Sequence, residues 1–172
     1  MITIKAIMQK EIFPISLILL LALSRLIPHP PNFTPIIAVA IMSSYFFRNI
    51  YLSLSVLLIS MLLGDYFIGF YKNMFFVYLS LFLITSIFFK INYKINYKSL
   101  FVFGFFGSII FFVISNFGVW ILGNLYEKNI NGLINCYLLA IPFFKNTLLS
   151  TIFFSYISFF SINYLCNKHL KT

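Results

Sequence analysis

A few polar side chains interrupt long apolar stretches of this sequence, and they are the residues with which the chain could do chemistry. Asp65 is the only acid inside such a stretch, and Lys72 follows it seven residues later on the same helical face. Arg25, His29 and Asn32 lie in an earlier proline-rich segment. A central charge costs about 2.5–3.5 kcal/mol at membrane depth, so Asp65 predicts a ligand site, an ion pair with Arg25 or Lys72, or both.

Two more clusters carry polar or aromatic groups with the same potential. Asn116, Phe117 and Trp120 come at the end of one apolar run, and Cys136 and Tyr137 lie in a shorter one. Trp120 is typical either of an interfacial belt or of a ring that stacks on a ligand. We expect Cys136 to act as a small hydrophobic residue rather than a soft metal ligand.

Together these clusters favour ligand binding over catalysis. The sequence has no Gly-x-Ser-x-Gly elbow, no phosphate-binding glycine loop and no helix with paired histidines, so we expect no cofactor and no metal site. An enzyme that uses His29, Asp65 or Cys136 remains the weakest of three function classes. The predicted ligand-binding residues are Arg25, His29, Asn32, Asp65, Tyr71, Asn116, Phe117, Trp120, Cys136 and Tyr137.

The composition defines the kind of structure that must position these residues. Of 172 residues, 62% are hydrophobic, 21% are aromatic and only 9% are charged, and the mean hydropathy is +1.01. A soluble domain carries about 25% charged residues, and a disordered chain has far fewer apolar ones. Continuous apolar runs also exclude the alternation of a transmembrane barrel. The chain is therefore predicted to be an all-α, multi-pass membrane protein.

Six transmembrane helices and one shorter helix account for the whole chain as a single integral membrane domain, 1–172. A span needs about 20 apolar residues, and several of these are shorter. The predicted spans are 12–26, 35–47, 50–70, 73–89, 100–122 and 146–164. The stretch 132–144 is too short to span and contains Pro142, so we expect a separate re-entrant or interfacial helix there.

The basic residues indicate how this six-helix bundle is oriented. Eight cations fall on the side of the two termini: Lys5, Lys10, Arg48, Lys90, Lys94, Lys98, Lys168 and Lys171. Four fall on the other side: Arg25, Lys72, Lys128 and Lys145. Since positive loops stay inside, both termini are predicted to be cytoplasmic. The net charge of +9 does not indicate nucleic-acid binding, because no basic segment is long enough to form a domain.

On this topology the clusters converge on the outer side, although they are far apart in sequence. The connection 25–35 contains four prolines, which exclude a helix and fix an extended path. It is either a rigid wall of a ligand site or a stiff turn. We therefore expect an outward-facing pocket beneath the outer loops. Three pairs of small residues at helical spacing are expected to pack inside the bundle: Ala40 and Ser44, Ser60 and Gly64, and Gly104 and Ser108.

Several of these motifs resemble those of a family of small bacterial membrane proteins that lack an assigned function and are usually labelled candidate transport proteins. The resemblance covers about residues 25–146. It rests on the Pro-His-Pro-Pro-Asn-Phe string at 28–33, on Gly64-Asp65 with Gly69, on Asn-Phe-Gly-Val-Trp at 116–120, and on Cys136-Tyr137 with Ile-Pro-Phe-Phe at 141–144 and Asn146.

More distantly, the chain is similar to the substrate-binding S components of energy-coupling-factor vitamin transporters. That resemblance implies six spans, cytoplasmic termini, an outward-facing pocket and an energising transporter module as a partner. The chain departs from S components because its first span has no Ala-xxx-Ala pattern, and a solitary importer is the alternative. Some solitary importers of this type bind cobalamin through a cysteine, but Cys136 matches no motif of theirs.

The sequence thus predicts an uptake protein of the bacterial inner membrane, in contact with the lipid bilayer. It would capture a small vitamin-like or nucleobase-like molecule from the periplasmic side. Aromatic rings would supply stacking surface, and the polar residues would orient the ligand by hydrogen bonds. The alternative is a membrane scaffold or assembly protein that binds no small molecule and relies on its small-residue faces.

Overall fold

Every regular element in the described part of the chain is a helix. The computed structural model describes residues 15, 16, 18–47, 49–91 and 96–169, with the backbone alone for 162, 163 and 165–169. The elements are α1 (18–23, continued by the 3-10 turn Ser24–Leu26), α2 (Ile36–Phe46), α3 (Ile50–Ile68), α4 (Met74–Ile91), α5 (Tyr97–Leu122) and α6 (Ile130–His169). Helices α3 to α6 are long and apolar enough to cross a membrane, so the predicted multi-pass membrane class is confirmed.

Local signals in the sequence set the helix ends. The Asn49 side chain accepts hydrogen bonds from the backbone N–H groups of Tyr51 and Leu52 and so caps α3. Asn96 and Ser99 form a capping box at the start of α5. Gly69 ends α3 with a φ of 102°, a conformation that favours glycine.

Helix α6 differs from the prediction. The expected break between a short helix 132–144 and a span 146–164 is absent, and one helix runs from Ile130 to His169 with Pro142 inside it. Proline removes one backbone hydrogen bond, but contacts on both sides of it hold the helical path. Tyr137 donates to Val113 O on α5, and Asn146 donates to Pro31 O in the proline-rich connection.

Helix α2 lies in the centre of the bundle. Its 11 residues replace the predicted span 35–47, and at about 1.5 Å per residue it is too short to cross a bilayer alone. It contacts α3, α4, α5 and α6. Its residues from Ile37 to Ser44 are all buried. The apolar core is built around them, with Phe47, Leu81, Phe88, Leu100 and Phe159 packed alongside.

The helices are staggered at one end of the bundle, and this stagger creates a cavity. A methyl group on Gly107 would lie 3.2 Å from Ile37 Cγ2, so α2 begins opposite the middle of α5. From Gly107 to Leu122, α5 continues for roughly 22 Å beyond that level. Asn146 of α6 likewise meets the 25–35 connection well inside its helix. The second half of α5 and the first half of α6 therefore enclose a space above α2, beyond its first residue. This end of the bundle is the cavity end.

Predictions about the termini concern residues that are mostly not described. The start of the first span at 12–14 and the cations Lys5, Lys10, Arg48, Lys94 and Lys171 lie outside the described residues, as does the side chain of Lys168. The small-residue pairs do lie within the described part. Ala40, Ser44, Ser60, Gly64, Gly104 and Ser108 are all buried inside the bundle.

Candidate functional site

The cavity above α2 has a volume of about 290 Å³, and its lining is half apolar and half polar. The apolar residues are largely aromatic. The polar residues carry hydrogen-bonding side chains. The apolar lining consists of Ile36, Val77, Phe111, Phe112, Val119, Ala140, Phe143 and Phe144, and the polar lining of Arg25, Asn32, Thr34, Tyr71, Asn73, Ser115, Asn116 and Thr147. A site with apolar surface and a few convergent polar groups suits a small organic molecule.

Arg25 is the charged group of the cavity, and a buried network fixes its position. Its Nη2 donates to Asp65 Oδ1 at 2.7 Å, and its Nη1 lies 3.3 Å from Met61 Sδ. Tyr78 donates to the other carboxylate oxygen, Asp65 Oδ2, also at 2.7 Å. The Asp65 side chain is fully buried, and only 9% of the Arg25 side chain is exposed. The intramembrane carboxylate is therefore ion-paired with Arg25.

Gly64 provides the space that the guanidinium occupies. A Cβ atom at this position would lie 2.9 Å from Arg25 Nη1 and 3.5 Å from its Cζ. Because real Cβ atoms do not approach other heavy atoms so closely, any larger residue would displace Arg25. Gly64 thus leaves room for the guanidinium, and Asp65 provides its counter-ion.

The proline-rich connection forms a wall of the cavity at the level where α2 begins. Phe33 N donates to Pro30 O at 3.0 Å, which closes a turn over Pro30–Phe33. Pro31 occupies the second position of this turn and Asn32 the third, where its φ of 60° is typical of a type II turn. Asn146 donates to Pro31 O at 3.0 Å and ties the turn to α6. These contacts place Asn32 and Thr34 at the cavity.

Two asparagines, one just before α4 and one on α5, and the tyrosine Tyr71 also contribute polar groups to the lining. Asn73 Nδ2 donates to Ser115 O at 2.9 Å, and Asn116 Nδ2 donates to Phe112 O at 2.8 Å. Tyr71 lies in the connection between α3 and α4. Burial, reinforced by the Asp65 carboxylate and opposed by Arg25, raises the pKa of Tyr71 to about 12. Its hydroxyl therefore remains a neutral donor and acceptor at physiological pH.

Three predicted site residues lie elsewhere at this end of the bundle. Trp120 donates from Nε1 to Glu127 O at 2.9 Å, and Lys128 contacts both its carbonyl oxygen and the face of its ring. It therefore closes the connection between α5 and α6. Phe117 packs between Phe76 and Trp120. His29 is exposed, with Nδ1 2.9 Å from Pro30 O.

Cys136 and Tyr137 stabilise the α5–α6 contact behind the cavity wall. Cys136 is a free, buried thiol whose Sγ lies 3.5 Å from Asn116 O. Tyr137 donates to Val113 O at 2.6 Å. Within the described residues, no three His, Cys, Asp or Glu side chains converge on a point where they could hold a metal ion.

Of the ten predicted residues, Arg25, Asn32, Tyr71 and Asn116 line the cavity, and Asp65 lies directly behind Arg25. The prediction missed most of the lining from α5 and α6. Their helical spacing was a usable signal, because Phe112, Asn116 and Val119 form one stripe and Ala140, Phe144 and Thr147 form another. Asn73 gave no such signal, since it lies at a helix start where asparagine is common.

Comparison with known proteins gives a family but no function. No curated protein and no solved structure matches the chain. A family model does match, over residues 5–172, which is nearly the whole sequence. The chain therefore belongs to DUF6580, a family of unknown function.

Proposed function

We propose that this protein binds a small planar polar molecule, vitamin-like or nucleobase-like, in the cavity above α2 and mediates its uptake. The observation that carries the proposal is the cavity itself, whose lining combines a largely buried arginine with several phenylalanine rings. The rings suit a flat apolar face, and the arginine and asparagines suit ring carbonyls and amide groups. A volume of about 290 Å³ suits a ligand of this size rather than a lipid or a peptide.

The proposal includes the membrane orientation inferred from the basic residues. In it the chain has six membrane-inserted helices in an S-component-like arrangement, with α2 as a short central one. Both termini are in the cytoplasm of a bacterium, and the cavity opens to the periplasm. Two features support this arrangement. The charge bias is eight cations to four, and the cavity end carries the connections that hold Lys72 and Lys128. An energising module would then dock from the cytoplasmic side.

The scaffold alternative receives no support from the surfaces it requires. It assigns partner binding to the small-residue faces. Ala40, Ser60 and Ser108 on those faces are at most 1% exposed, and they pack within the bundle. A partner could not reach them without opening the fold.

Mass spectrometry of small molecules extracted from the purified full chain in nanodiscs tests the proposal. The variant Ala140→Trp fills the cavity, because Ala140 is a buried lining residue. Leu139→Trp is the matched control, because the neighbouring side chain is 63% exposed and points away from the bundle. We expect one compound to be enriched in the wild type and in Leu139→Trp but absent from Ala140→Trp. Equal extracts from all three folded proteins would contradict a binding role for the cavity.

A further inference from the structure

The charge balance of the cavity indicates which ligands it accepts. Among the described lining residues Arg25 is the only charged one, and its counter-ion Asp65, which is fully buried and does not line the cavity, lies 2.7 Å away. The site therefore has a net charge of zero. An isolated buried cation would attract an anionic ligand strongly, whereas a paired one offers hydrogen bonds without a net charge.

The guanidinium nevertheless retains donors for a ligand. Arginine has five N–H donors in a rigid fork, and within the described residues Asp65 and Met61 engage two of them. The carboxylate of Asp65 does not reach the cavity, because it is fully buried, is not part of the lining, and accepts hydrogen bonds from Arg25 and Tyr78. Asp65 thus acts on a ligand only through Arg25, by orienting its fork and neutralising its charge.

We infer that Asp65 is a specificity-determining residue that makes this cavity select uncharged planar ligands with carbonyl or amide groups over their carboxylate analogues. This inference rests on the proposed function, since it specifies the ligand class of the same cavity. A carboxylate would lose its hydration on binding and would find Arg25 already neutralised. A ring carbonyl loses little hydration and still accepts a hydrogen bond from the guanidinium.

Two pairs of probes of similar shape test the inference, nicotinamide against nicotinate and uracil against orotate. Binding is measured by equilibrium dialysis with the full chain in nanodiscs. We expect the wild type to bind the neutral member of at least one pair about tenfold more tightly than the anion. Asp65→Asn leaves Arg25 unpaired, so we expect it to shift the preference toward the anion by about tenfold or more.

The double variant Arg25→Gln/Asp65→Asn is the matched control, because it restores zero charge and leaves a shorter amide donor in place of the guanidinium. It also keeps the test decisive if Asp65→Asn does not fold. We expect it to bind more weakly than the wild type but to keep the preference for the neutral member, since the charge balance alone sets that preference. An anion preference in the double variant would overturn the inference.

The remaining outcomes separate this inference from the proposed function. A wild type that prefers the anions, or an Asp65→Asn variant with an unchanged ratio, overturns the inference and leaves the cavity a binding site. Failure of the wild type to bind any of the four probes overturns the assigned ligand class. The comparison of Ala140→Trp with Leu139→Trp extracts then decides independently about the cavity.

Discussion

The centre of this bundle and its cavity end both contain polar bonds within helices and between elements, but the groups that join elements differ. Around α2, Ser44 and Ser108 donate to carbonyl oxygens of their own helices, and the hydroxyl of Thr85 reaches Ala40 O of α2. At the cavity end, Asn116 also bonds within its helix, but a charged pair, Arg25 and Asp65, and an amide, Asn73 to Ser115 O, join different elements.

Bonds within a helix and bonds between elements have different consequences for packing and for recognition. A serine that bonds to its own helix behaves toward its neighbours as a small, nearly apolar residue and lets helices approach closely. A bond between elements fixes a distance and a direction, and it leaves a cost when either partner is lost. The first kind suits a tight core, and the second suits a preorganised site.

Removing Asp65 alone should cause the largest loss of stability among the substitutions at the cavity end. Asp65→Leu leaves a buried guanidinium without a counter-ion, and we expect a loss of about 3–5 kcal/mol in the free energy of unfolding. The double variant Arg25→Met/Asp65→Leu removes both charges and should recover most of that loss. Denaturant unfolding in detergent micelles measures both. A single variant as stable as the wild type, or a double variant no better than the single one, would refute the role of the pair.

Alanine substitutions of two glycines on α5 compare how tightly the helices pack at the cavity end and farther along the bundle. A Cβ atom on Gly118, at the cavity end, would collide with Asn73 Oδ1 and the Phe76 ring. We expect Gly118→Ala to cost about 1–3 kcal/mol in the free energy of unfolding. On Gly104 the same atom would lie 3.4 Å from Ile152 Cγ1, in ordinary contact. Gly104→Ala should therefore be neutral or slightly stabilising, because alanine favours helix. Equal losses at the two positions would contradict the close approach of α4 and α5 at Gly118.

A pair of polar substitutions sharpens the contrast between the two kinds of hydrogen bond. Asn73→Ala removes a bond that joins α4 to α5, and we expect a loss of about 1 kcal/mol in unfolding free energy. Ser108→Ala removes a bond to Gly104 O within one helix, whose backbone hydrogen bonds remain, and we expect less than about 0.5 kcal/mol. The same unfolding measurement compares them. A larger loss for Ser108→Ala would contradict the expectation that a bond between elements contributes more stability than a bond within one helix.

The smallest effect is expected from the ionisation of Tyr71. Its pKa of about 12, against an ordinary 10.0, means that the folded protein keeps this proton where the unfolded chain loses it. The resulting stability is complete below pH 10.0 and is lost as the pH rises through about 12. Tyrosinate absorbance at about pH 11, compared between the wild type and Tyr71→Phe, should show little contribution from Tyr71. Half or more of a tyrosinate there would contradict the raised pKa of Tyr71.

The sequence predicted the long helices well because their ends carry local signals. The predicted spans 50–70, 73–89 and 100–122 agree closely with α3, α4 and α5. Hydropathy could not show that α2 lies in the centre, because residues that face protein and residues that face lipid are equally apolar. It also could not show that α6 is continuous, since the contacts that hold it on either side of Pro142 come from distant parts of the chain.

The site was predictable in its polar centre but not in its walls. The sequence identified Asp65 as an ion-pair candidate with two basic partners, and only the fold chooses Arg25 over Lys72. Trp120 shows the limit of reasoning from residue type. A single tryptophan at a helix end is typical either of a ligand site or of a membrane interface. In this structure Trp120 instead donates a hydrogen bond to Glu127 O in the connection after α5.

The shortness of α2 has a consequence for how the protein is made. A helix of 11 residues measures roughly 16 Å, about half the thickness of the hydrocarbon layer, so it cannot hold itself across a bilayer as it leaves the ribosome. Its buried face is later covered by α4, α5 and α6, which are synthesised after it. The burial of α2 can therefore be completed only after α6, the last helix, has been synthesised.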